Sequence, residues 1–300
     1  MRKHLAAIGI ATLLISTVAK AQSTPELFRT FDLGVKRTPA PQFFVMESKF
    51  MLYARDGKRI GTDVYRLRLK SNPAQAGKDG DEYTCARFTW QPQGGVEAAI
   101  PALTDWSYVF KAAGDKGQMF GIDSGKFERL ADSNGKTLPA DKGYHVYNAF
   151  IDFHSFCNVF ADRAAPGRGI QDLKKVGDKI VHAAAFSKPP VNSGESFFEN
   201  GEITLELKGL SQVNGRACAL VGYDSGESSF KMQLKGTQTA GSSHYFGDIY
   251  KDLANGWVQR ATMTEIVVSE TTVATPPNKV NAVVERAIDI RNVSEKEFGM

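Results

Sequence analysis

Alternation of apolar and polar side chains recurs along this chain, and a period of two is the period of a half-buried β-strand. Tyr65, Leu67 and Leu69 alternate with Arg66, Arg68 and Lys70. Ile203, Leu205 and Leu207 alternate with Thr204, Glu206 and Lys208, and Phe230, Met232 and Leu234 with Lys231, Gln233 and Lys235. Ile288 and Ile290 alternate with Asp289 and Arg291. Between such runs stand turn-forming pairs: Asp56-Gly57, Asp79-Gly80, Asn134-Gly135, Asn214-Gly215 and Asn255-Gly256. Closely spaced strands of this kind predict a mainly β protein of antiparallel, curved sheets, arranged as two β layers or half-barrels.

One segment departs from that period. Val146, Phe150, Phe153, Cys157 and Phe160 fall at steps of three and four, with Ala149 and Phe156 beside them. His145, Asn148, Asp152, Ser155 and Asn158 follow the same step on another face. This predicts one amphipathic, Phe-rich helix near 145–161, with Asp141 as its start signal. Its broad apolar face needs a covering surface, which a sheet curved around it would supply.

The first residues read as an export signal spanning 1–21. Arg2, Lys3 and His4 precede an apolar run from Leu5 to Ile15, and Ala19-Lys20-Ala21 supplies small residues for cleavage before Gln22. The expected location is the periplasm or the exterior. The run is too short for a membrane anchor, and no later stretch reaches the ~18 apolar residues of a spanning helix. Arg2, Lys3 and Lys20 leave with the signal, taking Lys+Arg from 37 to 34 against 33 Asp+Glu. A net charge so close to zero gives no reason to expect nucleic acid as a partner.

Ser187-Lys188-Pro189-Pro190 marks an internal boundary, since two prolines cannot continue a central strand. It divides an N-terminal β region, 22–188, containing the helix, from a C-terminal antiparallel β region, 189–300. Val64–Lys70 and Glu202–Lys208 echo each other, and each precedes a Cys-Ala pair, Cys85-Ala86 or Cys218-Ala219. That parallel makes Cys85 and Cys218 the first choice if a disulfide exists, with Cys157 left over.

Candidate chemistry is sparse. Asp224-Ser225-Gly226 and Asp123-Ser124-Gly125 read as turns rather than as a nucleophile motif. Asp152, His154 and Ser155 are the best acid–base group, yet on a helix residues two apart diverge. His145, His154, His182 and His244 form no H-x-H or H-x-x-x-H pair, and C-x-x-C spacing is absent, so no metal site or cofactor is expected.

Aromatic supply is the more informative signal. Phe43, Phe44, Phe50, Phe197 and Phe198 add to the helical cluster, and Trp90, Trp106 and Trp257 lie in or near strands. They would fill a core or line a cavity. The layout is similar, in architecture alone, to bacterial lipoprotein carriers of the periplasm; that likeness carries no residue across. The expected function is an exported, non-catalytic binding or carrier protein for an apolar or amphiphilic small molecule, with Phe150 and Phe153 as its ligand contacts. An envelope structural or protein-interaction module, partnered by an envelope protein, is the alternative. A secreted hydrolase is the third reading.

Overall fold

A computed structural model describes residues 29–54, 56–73, 80–112, 118–189, 196–234, 236–275 and 278–299. The signal read at 1–21 lies outside them, as do Pro190 and Pro276-Pro277. The first strands are β1 (Gln42–Tyr53), β2 (Arg59–Asn72), β3 (Glu82–Gln91), β4 (Ala98–Ala99) and β5 (Trp106–Val109). A small separate hairpin follows, β6 (Gln118–Met119) and β7 (Ile122–Asp123). Helix α1 (Ala140–His154) continues into a π turn, Ser155–Val159. The remaining strands are β8 (Lys179–Val181), β9 (Phe197–Glu199), β10 (Ile203–Val213), β11 (Arg216–Leu234), β12 (Thr237–Asp252), β13 (Val258–Val273) and β14 (Asn278–Val293), before the short helix α2 (Glu295–Gly299).

All the strands except β6 and β7 join one antiparallel sheet in the order β4-β3-β2-β1-β14-β13-β12-β11-β10-β8, with β5 on β3 and β9 on β11. The expected mainly β fold with one Phe-rich helix is therefore present, as one continuous sheet that curls without closing. The early and late strands meet where β1 pairs with β14, from Phe43 opposite Val293 to Tyr53 opposite Val283.

Local chemistry accounts for the hairpins. Asn214 and Gly215 both adopt positive φ, 51° and 75°, the mirror-image turn that matches strand twist in a two-residue loop. Asp123-Ser124-Gly125 forms a tight turn in which the Asp123 carboxylate accepts from the Gly125 N–H at 2.9 Å. Asp224-Ser225-Gly226, expected as a turn, instead lies inside β11, where the register against β12 shifts between Ser225 and Ser228. A bulge uses the same permissive residues as a turn, so local composition cannot separate the two.

Helix α1 packs into the curl and touches strands from both halves. Phe153 meets Phe44 of β1 edge-on at 5.0 Å, Phe150 stacks on Phe88 of β3 at 5.7 Å, and Phe156 stacks on Tyr223 of β11 at 5.0 Å. Each such pair contributes about 0.5–1.5 kcal/mol beyond the area it buries. Near the helix start, a Cβ on Gly143 would stand 2.4 Å from the Phe127 carbonyl oxygen, so glycine permits this close approach. At the far end, Arg37 donates to the Cys157 carbonyl at 3.3 Å and pairs with Asp162, while Lys251 donates to the Ala161 carbonyl at 2.5 Å. Cations suit the negative end of a helix. Burial nevertheless pulls the Lys251 ammonium down to about 8.

Cys85, Cys157 and Cys218 are all buried and unpaired. Cys85 on β3 and Cys218 on β11 have five strands between them, which corrects the pairing expected from their similar sequence contexts.

Candidate functional site: a groove between helix and sheet

Because β13 outruns the helix, its inward face grades from covered to open. Ala261, Met263 and Glu265 are buried, while Val267, Ser269 and Thr271 on the same face are only half-buried. At ~3.3 Å per residue the strand extends ~50 Å, against ~30 Å for a helix of twenty residues. A groove of about 1190 Å³ occupies the space between them, more than a drug-sized ligand needs. The sheet contributes the β13 row from Met263 to Thr271, Val284 and Arg286 of β14, Phe230 and Met232 of β11, and Thr237, Thr239 and Tyr245 of β12. Ala184, Ser187, Lys188 and Pro189 line the groove as well, with Phe198 and Asn200.

The helix contributes Tyr144, His145, Asn148, Ile151, Asp152, Ser155, Phe156 and Val159. These positions step by three and four, so they form one stripe. It is largely the polar face expected from sequence, with apolar Ile151, Phe156 and Val159 set among the polar groups. Phe150 and Phe153 belong to the other stripe. Both are wholly buried against β1 and β3 and neither lines the groove. Their spacing located the packed face of the helix correctly; the groove runs along its other side.

A charged cluster interrupts the apolar lining. Phe50, Arg286 and Glu265 are cross-strand neighbours on β1, β14 and β13. The Arg286 guanidinium lies over the Phe50 ring, 4.7 Å from its centre. Its Nη1 donates to Glu265 Oε2 at 2.5 Å, and its Nη2 donates to Asp152, which reaches down from the helix. Ser243 donates to the other Glu265 oxygen at 2.5 Å. Arg286 Nε–H is buried and has no acceptor among the described residues. The Asp152 carboxyl is raised to about 6 on balance: burial pushes it up, Arg286 pulls it down, and Glu265 pushes it up again. Burial also opposes the Arg286 charge, but Asp152 and Glu265 outweigh it and raise that group above its ordinary value.

The acid–base candidates separate in space. His154 bonds Tyr108 and Asn158, each at 2.7 Å, on the packed side of the helix, and burial drives its imidazolium form well out of the neutral range. Asp152 serves Arg286 instead. His145 lines the groove, stacked on Phe50 at 4.1 Å and bonded to Tyr65 at 3.2 Å. Burial, then Lys142 and Arg286, lower its pKa. His244 meets Asp224 at 3.3 Å on an exposed part of β11 and β12, away from the groove lining. Among the described residues no three His, Cys, Asp or Glu gather as a metal site. No described helix is long and apolar enough to cross a membrane.

Sequence reading missed the groove's own residues because polar positions on a helix face look alike whether they meet solvent or a cavity. The available signal was a second apolar set, Ile151, Phe156 and Val159, interleaved with the polar ones. Among known proteins, no family model and no curated protein matches this chain.

Proposed function

We propose that this protein is an exported, non-catalytic binding or carrier protein for an apolar or amphiphilic small molecule, working in the periplasm or outside the cell. The observation that supports the reading is the groove of about 1190 Å³, whose walls carry Phe230, Met232, Val267, Val284, Ile151 and Phe156 around one charged cluster. Covering those side chains with a ligand removes apolar surface from water, worth about 25 cal/mol per Å². Phe150 and Phe153 then hold the helix in place rather than touch the ligand. Protein purified without detergent is expected to retain lipid-like material under native mass spectrometry and to bind a hydrophobic dye while fully folded. Ligand-free protein that ignores such a dye contradicts the reading.

A second reading, an envelope protein-interaction module, draws on the opposite sheet face. There Phe246, Ile266 and Val268 stand 37–52% exposed on two adjacent strands. Val268→Lys would abolish association with an envelope protein on this reading, and leave groove binding unchanged on the first.

A further inference from the structure

We propose that the groove selects single-chain amphiphiles with a primary ammonium head over those with a neutral or an anionic head on the same chain. This names the ligand class for the functional reading above and rests on the groove being the ligand site. Two features of the groove carry it: a lining with one carboxylate charge left over, and unengaged hydrogen-bond acceptors on the helix stripe beside that charge.

Asp152 and Glu265 face the single guanidinium of Arg286, so the cluster carries one net negative charge. The other charged groups of the lining do not cancel it. Lys188 is paired with Glu199 at 2.9 Å, and Asp141 shares Lys142 with Asp63, at 3.2 and 2.7 Å. His145 stays neutral, because burial, Lys142 and Arg286 all lower its pKa. Glu265 commits both oxygens, to Arg286 and Ser243, whereas Asp152 commits only Oδ2. The Asp152 Oδ1 has no partner among the described residues and, unlike the sealed Arg286 Nε, is open to the groove. Asn148 and Ser155 stand four residues before Asp152 and three after it, on the same helix face. Both are half-buried in the groove wall, and neither side chain bonds a described residue. An ammonium beside Asp152 donates to Oδ1 and to the side-chain oxygen of Asn148 or Ser155, with a third N–H turned to water. It also balances the charge of the cluster where burial weakens screening. A hydroxyl head makes such bonds without the charge, and a carboxylate adds an anion beside one already in excess. Ile151 and Phe156 of the helix and Val267 of the sheet flank this point and receive the chain.

The experiment is competition against a groove-bound hydrophobic dye at pH 8, using dodecylamine, dodecyltrimethylammonium, dodecanol and laurate, which share one chain length. At this pH the amine is protonated and laurate is ionised. Dodecylamine should bind about tenfold or more tightly than dodecanol, the worth of one hydrogen bond to a charged group, and laurate should bind most weakly. Dodecyltrimethylammonium carries the charge without an N–H and should bind less tightly than dodecylamine. Asp152→Asn removes the surplus charge and leaves the Glu265–Arg286 pair, so it should bring dodecylamine level with dodecanol while dodecanol itself holds. A purely structural role for Asp152 would instead move every ligand together. If that variant does not fold, Asn148→Ala with Ser155→Ala should narrow the gap between dodecylamine and dodecyltrimethylammonium. Dodecanol, laurate or dodecyltrimethylammonium matching dodecylamine in the native protein overturns the proposal. An unchanged dodecylamine advantage in folded Asp152→Asn overturns it too. If none of the four displaces the dye, the groove is not a chain-binding site and the functional reading itself falls.

Discussion

Arg286 joins the helix to the sheet by serving Asp152 from one and Glu265 from the other. Removing the shared cation while both carboxylates stay buried is far more damaging than removing one carboxylate. Arg286→Met should cost about 3–5 kcal/mol in urea denaturation at pH 8, whereas Asp152→Asn should leave stability level or raise it. Equal losses in the two variants would show that the cluster behaves as independent surface pairs. The pH dependence follows from groups of opposite sign. Burial lowers the pKa values of His145, His154 and His182, the last to about 4 against an ordinary 6.5. Between those values the unfolded chain binds protons that the native protein refuses, so stability falls as pH drops below about 6.5. Asp152, raised to about 6 from 3.8, takes up a proton in the native state first, so its contribution rises as pH falls through 6. Three groups against one leave a net loss of stability as pH falls from 6 towards 4. Denaturation midpoints at pH 7, 6 and 5 should decline, and Asp152→Asn should steepen the decline.

Elements differed in how plainly the sequence announced them. The strands through Leu67, Leu205 and Ile290 follow from alternation, and the helix from the spacing of Val146, Phe150 and Phe153, because each buries one face against a continuous core. The pairing of β1 with β14 had no local signal, since more than two hundred residues separate Phe50 from Arg286. The charged cluster depends on that pairing, so it was illegible for the same reason. Glycine supplies another hidden device at Gly247. The Tyr223 side chain passes over this residue to donate to the Thr262 carbonyl at 2.6 Å, and a Cβ there would stand 2.7 Å from the Tyr223 oxygen and 1.9 Å from that carbonyl. Gly247→Ala should displace Tyr223 and with it Phe156 of the groove wall, costing about 1–3 kcal/mol. Thermal melting measures the loss, and an unshifted transition would mean that the crossing is not tight.

Across the whole molecule, one helix has two employments: its Phe150 and Phe153 stripe closes the core, and its Asn148, Asp152 and Phe156 stripe walls the groove. Substitutions on the two sides should therefore separate stability from binding. Phe153→Ala empties a fully buried site and should cost about 3–5 kcal/mol while the folded fraction keeps its ligand affinity. Met232→Asp, at a half-buried position on the groove floor, should do the reverse: a stability change within about 1 kcal/mol and a loss of chain binding.

The groove as a chain-binding site is tested most directly by titration calorimetry across a series of primary alcohols that differ by single methylenes. Each buried methylene contributes about 0.8 kcal/mol, so affinity should rise about fourfold per added carbon until the groove is filled, and then level off. Affinity independent of chain length, or no measurable heat for any member, would contradict the account.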